Sequence, residues 1–165
     1  MNLKGVPFEA GTLFYLADPM YNIAEITVSY KPIFKLSEQP QISNSIDAYD
    51  ILKKSWGDKL AYCEEFNILL LNRANKVLGL CKISSGGIAG TVADPKMIFQ
   101  SALKGNASSI ILSHNHPSGN LKPSQADLDL TKKIKEAGKF LDLPIVDHII
   151  ITDEGFLSFA DEGLM

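Results

Sequence analysis

The segment SHNHPSGNLKPSQAD, residues 113–127, holds two of the chain's three histidines, His114 and His116, followed by Pro117, Gly119, Ser124 and Asp127. Side chains alternate along an extended strand, so His114 and His116 project from one face and can aim two imidazoles at a common ion. Pro117 removes a ladder donor and Gly119 permits a sharp turn, which places the pair at a strand end, where α/β sheets usually bind ligands. Ser124 and Asp127 stand three residues apart, on one side of a helical turn. With the loop 117–123 folded back, Asp127 can supply a third ligand. Two nitrogens and one carboxylate oxygen leave zinc one open position, the arrangement of catalytic rather than structural sites. Zinc brings the pKa of a bound water down to about 7 and polarises a carbonyl, which is the chemistry of hydrolysis. Such a water needs a base. Glu64, at the start of a strand, is the candidate, while its neighbour Glu65 points to the other sheet face. Ser124, beside the metal, can donate a hydrogen bond to a developing oxyanion.

Plainer readings exist for each residue. Ser124-x-x-Asp127 is also a helix-start pattern, with Asp127 stabilising the first turn. The histidines could be polar loop residues bonded to backbone, and Glu64 an exposed strand-edge charge. His148 follows Asp147 in an apolar run; it reads as a hydrogen-bonded core histidine, or else as a partner that holds a ligand or a water. Cys63 and Cys81 read as buried thiols rather than a disulfide or a ligand pair.

The elements that must carry these residues can be read from periodicity and turn chemistry. Residues 24–34 are β-branched and aromatic as far as Pro32 and predict a strand; residues 1–23, broken by glycine and proline, predict a loosely packed arm. SNSIDAYDILKKSW (43–56) predicts a capped helix with Ala48, Ile51, Leu52 and Trp56 on its apolar face, ended by Gly57. EEFNILLLN (64–72) and VLGLCKIS (77–84) predict a hairpin, and SSGGIAG (84–90) a glycine-rich connection without the lysine and spacing of a phosphate-binding loop. A helix follows with Asp94 as cap, Pro95 in its first turn and Gly105 past its end. SSIILSH (108–114) predicts a central strand covered on both faces. From Ser124 a long helix carries Leu130, Ile134, Ala137 and Leu141 on one stripe, and IVDHIIIT (145–152) and FLSF (156–159) predict the last two strands. Strands alternating with helices predict a three-layer α/β domain.

The 165 residues suit one ordinary domain, and 45% apolar with 21% charged residues is a globular composition. A net charge of −3 does not support direct DNA binding. Lysines gather in 52–59 and 131–139, which read as solvated helix faces. No apolar run is long enough to span a bilayer, the N-terminus lacks a signal-peptide core, and two cysteines are too few for a disulfide framework; the expected setting is cytoplasmic.

The order Glu64, His114-Asn115-His116, seven residues, Ser124-Gln125-Ala126-Asp127 resembles the JAMM metalloprotease motif. LSHNHPSGNLKPSQAD, TKKIKEAGKFLDLPIVDHIIIT and GFLSFADEG are similar to the bacterial RadC family, and the likeness covers roughly residues 42–163. This resemblance implies a JAMM/MPN-type α/β fold, a mixed β-sheet flanked by helices with cytidine deaminase-like architecture. It divides the chain into an N-terminal arm and strand, 1–41, and a RadC-like domain, 42–165. It implies Zn2+ held by His114, His116 and Asp127, with Glu64 as general base, Ser124 as oxyanion helper, and a peptide or isopeptide-type substrate. RadC proteins usually carry a helix-hairpin-helix-like N-terminal region that residues 1–41 do not resemble, so the expectation is the short form met in bacterial mobile elements. A protein partner or homo-oligomer is left open. The competing expectation is a non-catalytic metal-binding module in DNA repair or recombination; a nuclease is a third. The letters HNH at 114–116 are not the nuclease motif of that name, which is not three adjacent residues. The His-x-Glu and Pro-Cys-x-x-Cys of zinc deaminases are absent.

Overall fold

All seven residues of strand β1, Glu65–Leu71, are buried, because the sheet they enter is covered on both faces. The structure, a computed structural model, describes residues 31, 33–86 and 93–165. The expected arm 1–23, nearly all of the expected strand 24–34 and residues 87–90 of the glycine-rich connection lie outside them. Where that strand was to end, Lys31, Ile33 and Phe34 are exposed and carry no strand.

β1 turns through Asn72–Lys76 into β2, Val77–Ser85, as an antiparallel hairpin. β3, Ser109–Asn115, lies on the other side of β1 and antiparallel to it; β4, Ile145–Ile151, runs parallel to β3, and β5, Phe156–Ser158, antiparallel to β4. The sheet order is β2-β1-β3-β4-β5, a mixed sheet with β3 at its centre. Helix α1, Ser45–Trp56, covers one face, with Ala48, Leu52 and Trp56 packed on Leu69, Leu71, Ile111, Ile149 and Ile151. Helices α2, Pro95–Lys104, and α3, Gln125–Phe140, cover the other, with Ile98, Phe99, Ala102 and Ile134 on Phe66, Ile68, Leu70, Ile110 and Leu112. Helices on both faces of a mixed sheet make the three-layer α/β fold that the sequence predicts.

Each helix starts where its cap residue predicts. The Asn44 side chain accepts from the Asp47 amide and the Asp47 carboxylate accepts from the Asn44 amide, while Gly57 ends the helix at a φ of 53°. Asp94 caps α2 with Pro95 behind it. In α3 the expected stripe holds at Leu130, Ile134 and Ala137. It fails at Leu141, which is the C-cap and 41% exposed, since the helix has already ended at Phe140 and the chain turns away through Asp142.

The alternation of β4 is broken at one point. Ile110 of β3 pairs with Ile145, but Ile111 pairs with Asp147, so Val146 is an extra residue in β4. Ile145 packs with the α2/α3 face while Ile149 and Ile151 pack with α1, although all three numbers are odd. The bulge reverses the phase of β4, and His148 thereby lies beside Leu112 on the face that also carries His114. α3 is fastened against the start of this strand at Gly138, where an added Cβ would collide with the Leu143 carbonyl. Gly138→Ala is therefore expected to destabilise the fold by about 2 kcal/mol, measured as a lowered urea midpoint with an unchanged slope.

Candidate metal centre

β3 ends at Asn115, and its alternation sends His114 and His116 to the α3 side and Asn115 to the α1 side. His114 is 1% exposed, at the centre of the sheet, with the Phe66 ring nearly parallel to it at 6.1 Å. His116 is half-buried at the rim. Gly119, at a φ of 78°, turns the loop back, and α3 starts at Ser124 so that Asp127 in its first turn faces the two rings. The Nε2 atoms of His114 and His116 are 2.9 Å apart; Asp127 Oδ1 is 3.3 Å from His114 Nε2, and Asp127 Oδ2 3.9 Å from His116 Nε2. Among the described residues these three form the group of ligand-bearing side chains close enough to share a cation.

The helix-start reading of Ser124 and Asp127 and the ligand reading turn out to be compatible. The Asp127 amide donates to Ser124 Oγ at 3.2 Å, and the Ser124 amide donates to Asp127 Oδ2 at 2.7 Å, a complete capping box. Ser124 Oγ–H also donates to Asp127 Oδ2, at 2.6 Å. These bonds hold Oδ2 and leave Oδ1 aimed at His114. Capping thus orients the carboxylate instead of consuming it.

Glu64 sits one residue before β1 and is half-buried. Continuing the register that pairs Phe66 with His114 brings it level with His116, on the imidazole side. It is not part of the converging trio. Glu65 points to the opposite face, as the alternation predicts, and is held there by an ion pair to Lys82. The two glutamates are thereby told apart. Cys63 and Cys81 are free thiols, each half-buried.

Two further side chains matter, Asn115, which residue types alone did not single out, and His148, which they left between two readings. Asn115, 0% exposed, accepts from the Glu65 amide at 2.7 Å and donates to the carbonyls of Leu60 at 2.7 Å and Cys63 at 2.9 Å. It ties the segment that presents Glu64 to the strand that presents the imidazoles. His148, also 0% exposed, places its Nε2 2.9 Å from His114 Nδ1. His148 is thus the hydrogen-bonded core histidine of the first reading, and the ring it bonds is that of the candidate ligand His114; the phase change at Val146, invisible to alternation, is why it reaches that ring.

The residues fit a zinc ion on their own geometry. Donor atoms bound to a tetrahedral zinc at about 2.0–2.1 Å stand about 3.3 Å from one another; here the two Nε2 atoms are 2.9 Å apart and Asp127 Oδ1 is 3.3 Å from that of His114, while the carboxylate reaches His116 Nε2 through its other oxygen, at 3.9 Å. His116 Nδ1 bonds to the Asn120 carbonyl, which can only accept, so a ring proton lies on Nδ1, and the neutral ring then carries its lone pair on Nε2. Burial holds the His114 imidazole neutral, its pKa lowered to about 4 with the nearby Asp127 opposing the shift, and burial lowers that of His148 well below the usual range. Neutral imidazole is the ligating form. A cavity of about 950 Å³ lies at the other end of the sheet near Arg73, Asn106 and Asp142. Donor chemistry, not the size of a hollow, marks the site.

Residues 42–164 match the model of the RadC-like JAB domain. The chain belongs to that family. It is 49% identical over 124 residues to a UPF0758 protein of Flavobacterium johnsoniae, covering 75% of this chain and 53% of that protein. It is 45% identical over 103 residues to one from Porphyromonas gingivalis, covering 62% and 45%. For one from Thermosynechococcus vestitus the figures are 39% over 124 residues, 75% and 47%. The chain thus spans about half the length of the curated relatives it matches. Among the described residues no helix is long and apolar enough to cross a membrane.

Two measurements test this geometry. The unfolded chain protonates its histidines below about pH 6.5, while folded His114 resists down to about 4. The stability of the metal-free protein is therefore expected to be full above 6.5 and to fall as the pH drops from 6.5 towards 4. His114 alone contributes on the order of 3 kcal/mol to that loss, read from urea melts at successive pH values. Asn115→Ala strands two buried backbone groups and one half-buried one and is expected to cost on the order of 3 kcal/mol in the same assay at neutral pH.

Proposed function

We propose that this RadC-like JAB domain is a zinc-dependent hydrolase of amide bonds, of the metallopeptidase or isopeptidase type. The observation that carries the reading is the convergence of two imidazoles and one carboxylate whose ligand atoms lie within 4.8 Å of one another, with three protein donors for the four positions of a tetrahedral zinc. Zinc bound there would supply Lewis acidity, polarising a carbonyl and acidifying water.

The chain's own residues supply the rest. Glu64, level with His116 and outside the ligand trio, takes the proton of the attacking water on its carboxylate and passes it to the leaving nitrogen. Ser124 Oγ–H, bonded to Asp127 Oδ2 in the resting site, turns towards the oxyanion that develops on the substrate carbonyl. Phe66 and Phe159 wall the buried side of the site with apolar rings and keep water from approaching the imidazoles from behind. The substrate is a peptide or an isopeptide-type amide met in the cytoplasm, presented with or without a protein partner.

Metal analysis and a panel of peptide and isopeptide amides test this together. Wild type is expected to carry close to one zinc per chain, and Asp127→Ala to lose both zinc and turnover. Glu64→Gln is expected to keep zinc and lose about 10²–10⁴-fold in kcat on whichever amide responds. Equal turnover by wild type and Asp127→Ala would remove metal hydrolysis from consideration. Zinc retained with no turnover on any amide would favour the metal-binding module of DNA repair or recombination.

A further inference from the structure

His114 can ligate a cation only through Nε2, and only if its ring proton sits on Nδ1. What decides the tautomer is a chain of hydrogen bonds that begins in α3. Thr131 lies one helical turn after Asp127, and its hydroxyl donates to the Asp127 carbonyl at 2.6 Å. A carbonyl can only accept, so the single hydroxyl proton is committed there. Thr131 Oγ1 is also 2.6 Å from His148 Nδ1. With its own proton used, Oγ1 must accept from that nitrogen, which puts the His148 proton on Nδ1. His148 Nε2 is then a lone pair. It stands 2.9 Å from His114 Nδ1, so His114 must donate from Nδ1 and keep Nε2 bare. Thr131, His148 and His114 are all buried, and solvent offers them no competing partner.

We infer that Thr131 and His148 are positioning residues that set the tautomer of His114, so that the Asp127 carbonyl, through two side chains, turns the His114 Nε2 lone pair towards the Asp127 carboxylate. The inference rests on the proposed zinc site for its purpose but not for its geometry. Asp127 takes part twice, with its side chain as a donor to the cation and its main chain as the anchor of the relay. With a neutral His116 fixed by the Asn120 carbonyl in the same sense, two imidazole lone pairs and a carboxylate face one another with no proton to share. A cation is what such a set accepts. The strand and the helix are thereby tuned to each other before any ion arrives.

The test uses the whole chain with 15N-labelled histidine and long-range 1H–15N correlation spectra of the metal-free protein. His114 and His148 are both expected as Nδ1–H tautomers in wild type. Thr131→Val removes the hydroxyl at nearly constant shape; His148 is then expected to show mixed tautomers, and zinc affinity, measured by competition with a chromophoric chelator, to fall about 10–100-fold. Thr131→Ser keeps the hydroxyl and is expected to restore both readouts, which a purely steric role for Thr131 would not explain. An Nε2–H His114 in wild type would overturn the relay, as would a folded Thr131→Val protein with unchanged tautomers and zinc affinity. Nδ1–H tautomers that respond to Thr131→Val in a wild type unable to bind zinc would support the relay and defeat only the metal reading.

Discussion

An imidazole at the centre of a five-stranded sheet is a polar ring in an apolar place, and both of its nitrogens must be satisfied for it to stay there. His114 meets that condition on one side through His148, while on the other its Nε2 faces His116 and Asp127, where a cation would complete it. The remaining architecture follows from this requirement. β3 has to be central so that the ring is shielded by helices on both sides of the sheet. α3 has to begin at Ser124 so that its first turn, and no later one, meets the strand tip.

The capping box shows how two needs are met by one residue. An N-terminal carboxylate steadies a helix through amide bonds and the helix dipole. In α3 those bonds use Oδ2 of Asp127, and the remaining oxygen faces the imidazoles. A helix start and a ligand site are usually weighed as rival explanations of Ser-x-x-Asp, yet here the first is what gives the second its direction. Asn115 plays a similar part from the opposite face. The middle residue of His-Asn-His commits its amide to two carbonyls of the segment before β1 and to the first amide of β1, which ties the strand tip to the segment that presents Glu64.

Much of this was legible in the residues. Cap chemistry located all three helix starts, and strict alternation put His114 and His116 together and Glu65 on the other side from Glu64. The five strands of the sheet were legible because their apolar runs are short and bounded by turn residues. Three features were not. Leu141 fits the helical period but not the helix, because periodicity carries no information about where a C-terminus unwinds. Asn115 looks like a spacer until the chain it clamps, about fifty residues upstream, is seen beside it. His148 was assignable to either face, since a strand read by alternation has no way to announce an extra residue at Val146.

That extra residue has a consequence for how β4 tolerates change. A pleated strand distributes its side chains in strict turn, so a one-residue shift anywhere exchanges inside for outside along everything downstream. Val146 acts as a joint between two lengths of opposite parity, Ile145 belonging to one and His148 to Ile151 to the other. Removing Val146 would straighten the ladder while leaving Asp147 and His148 on their present sides. Removing His148 instead would either bring Asp147 to the place of the imidazole or shift the isoleucines beyond it out of the layers they fill. The strand is forgiving at the joint and unforgiving past it.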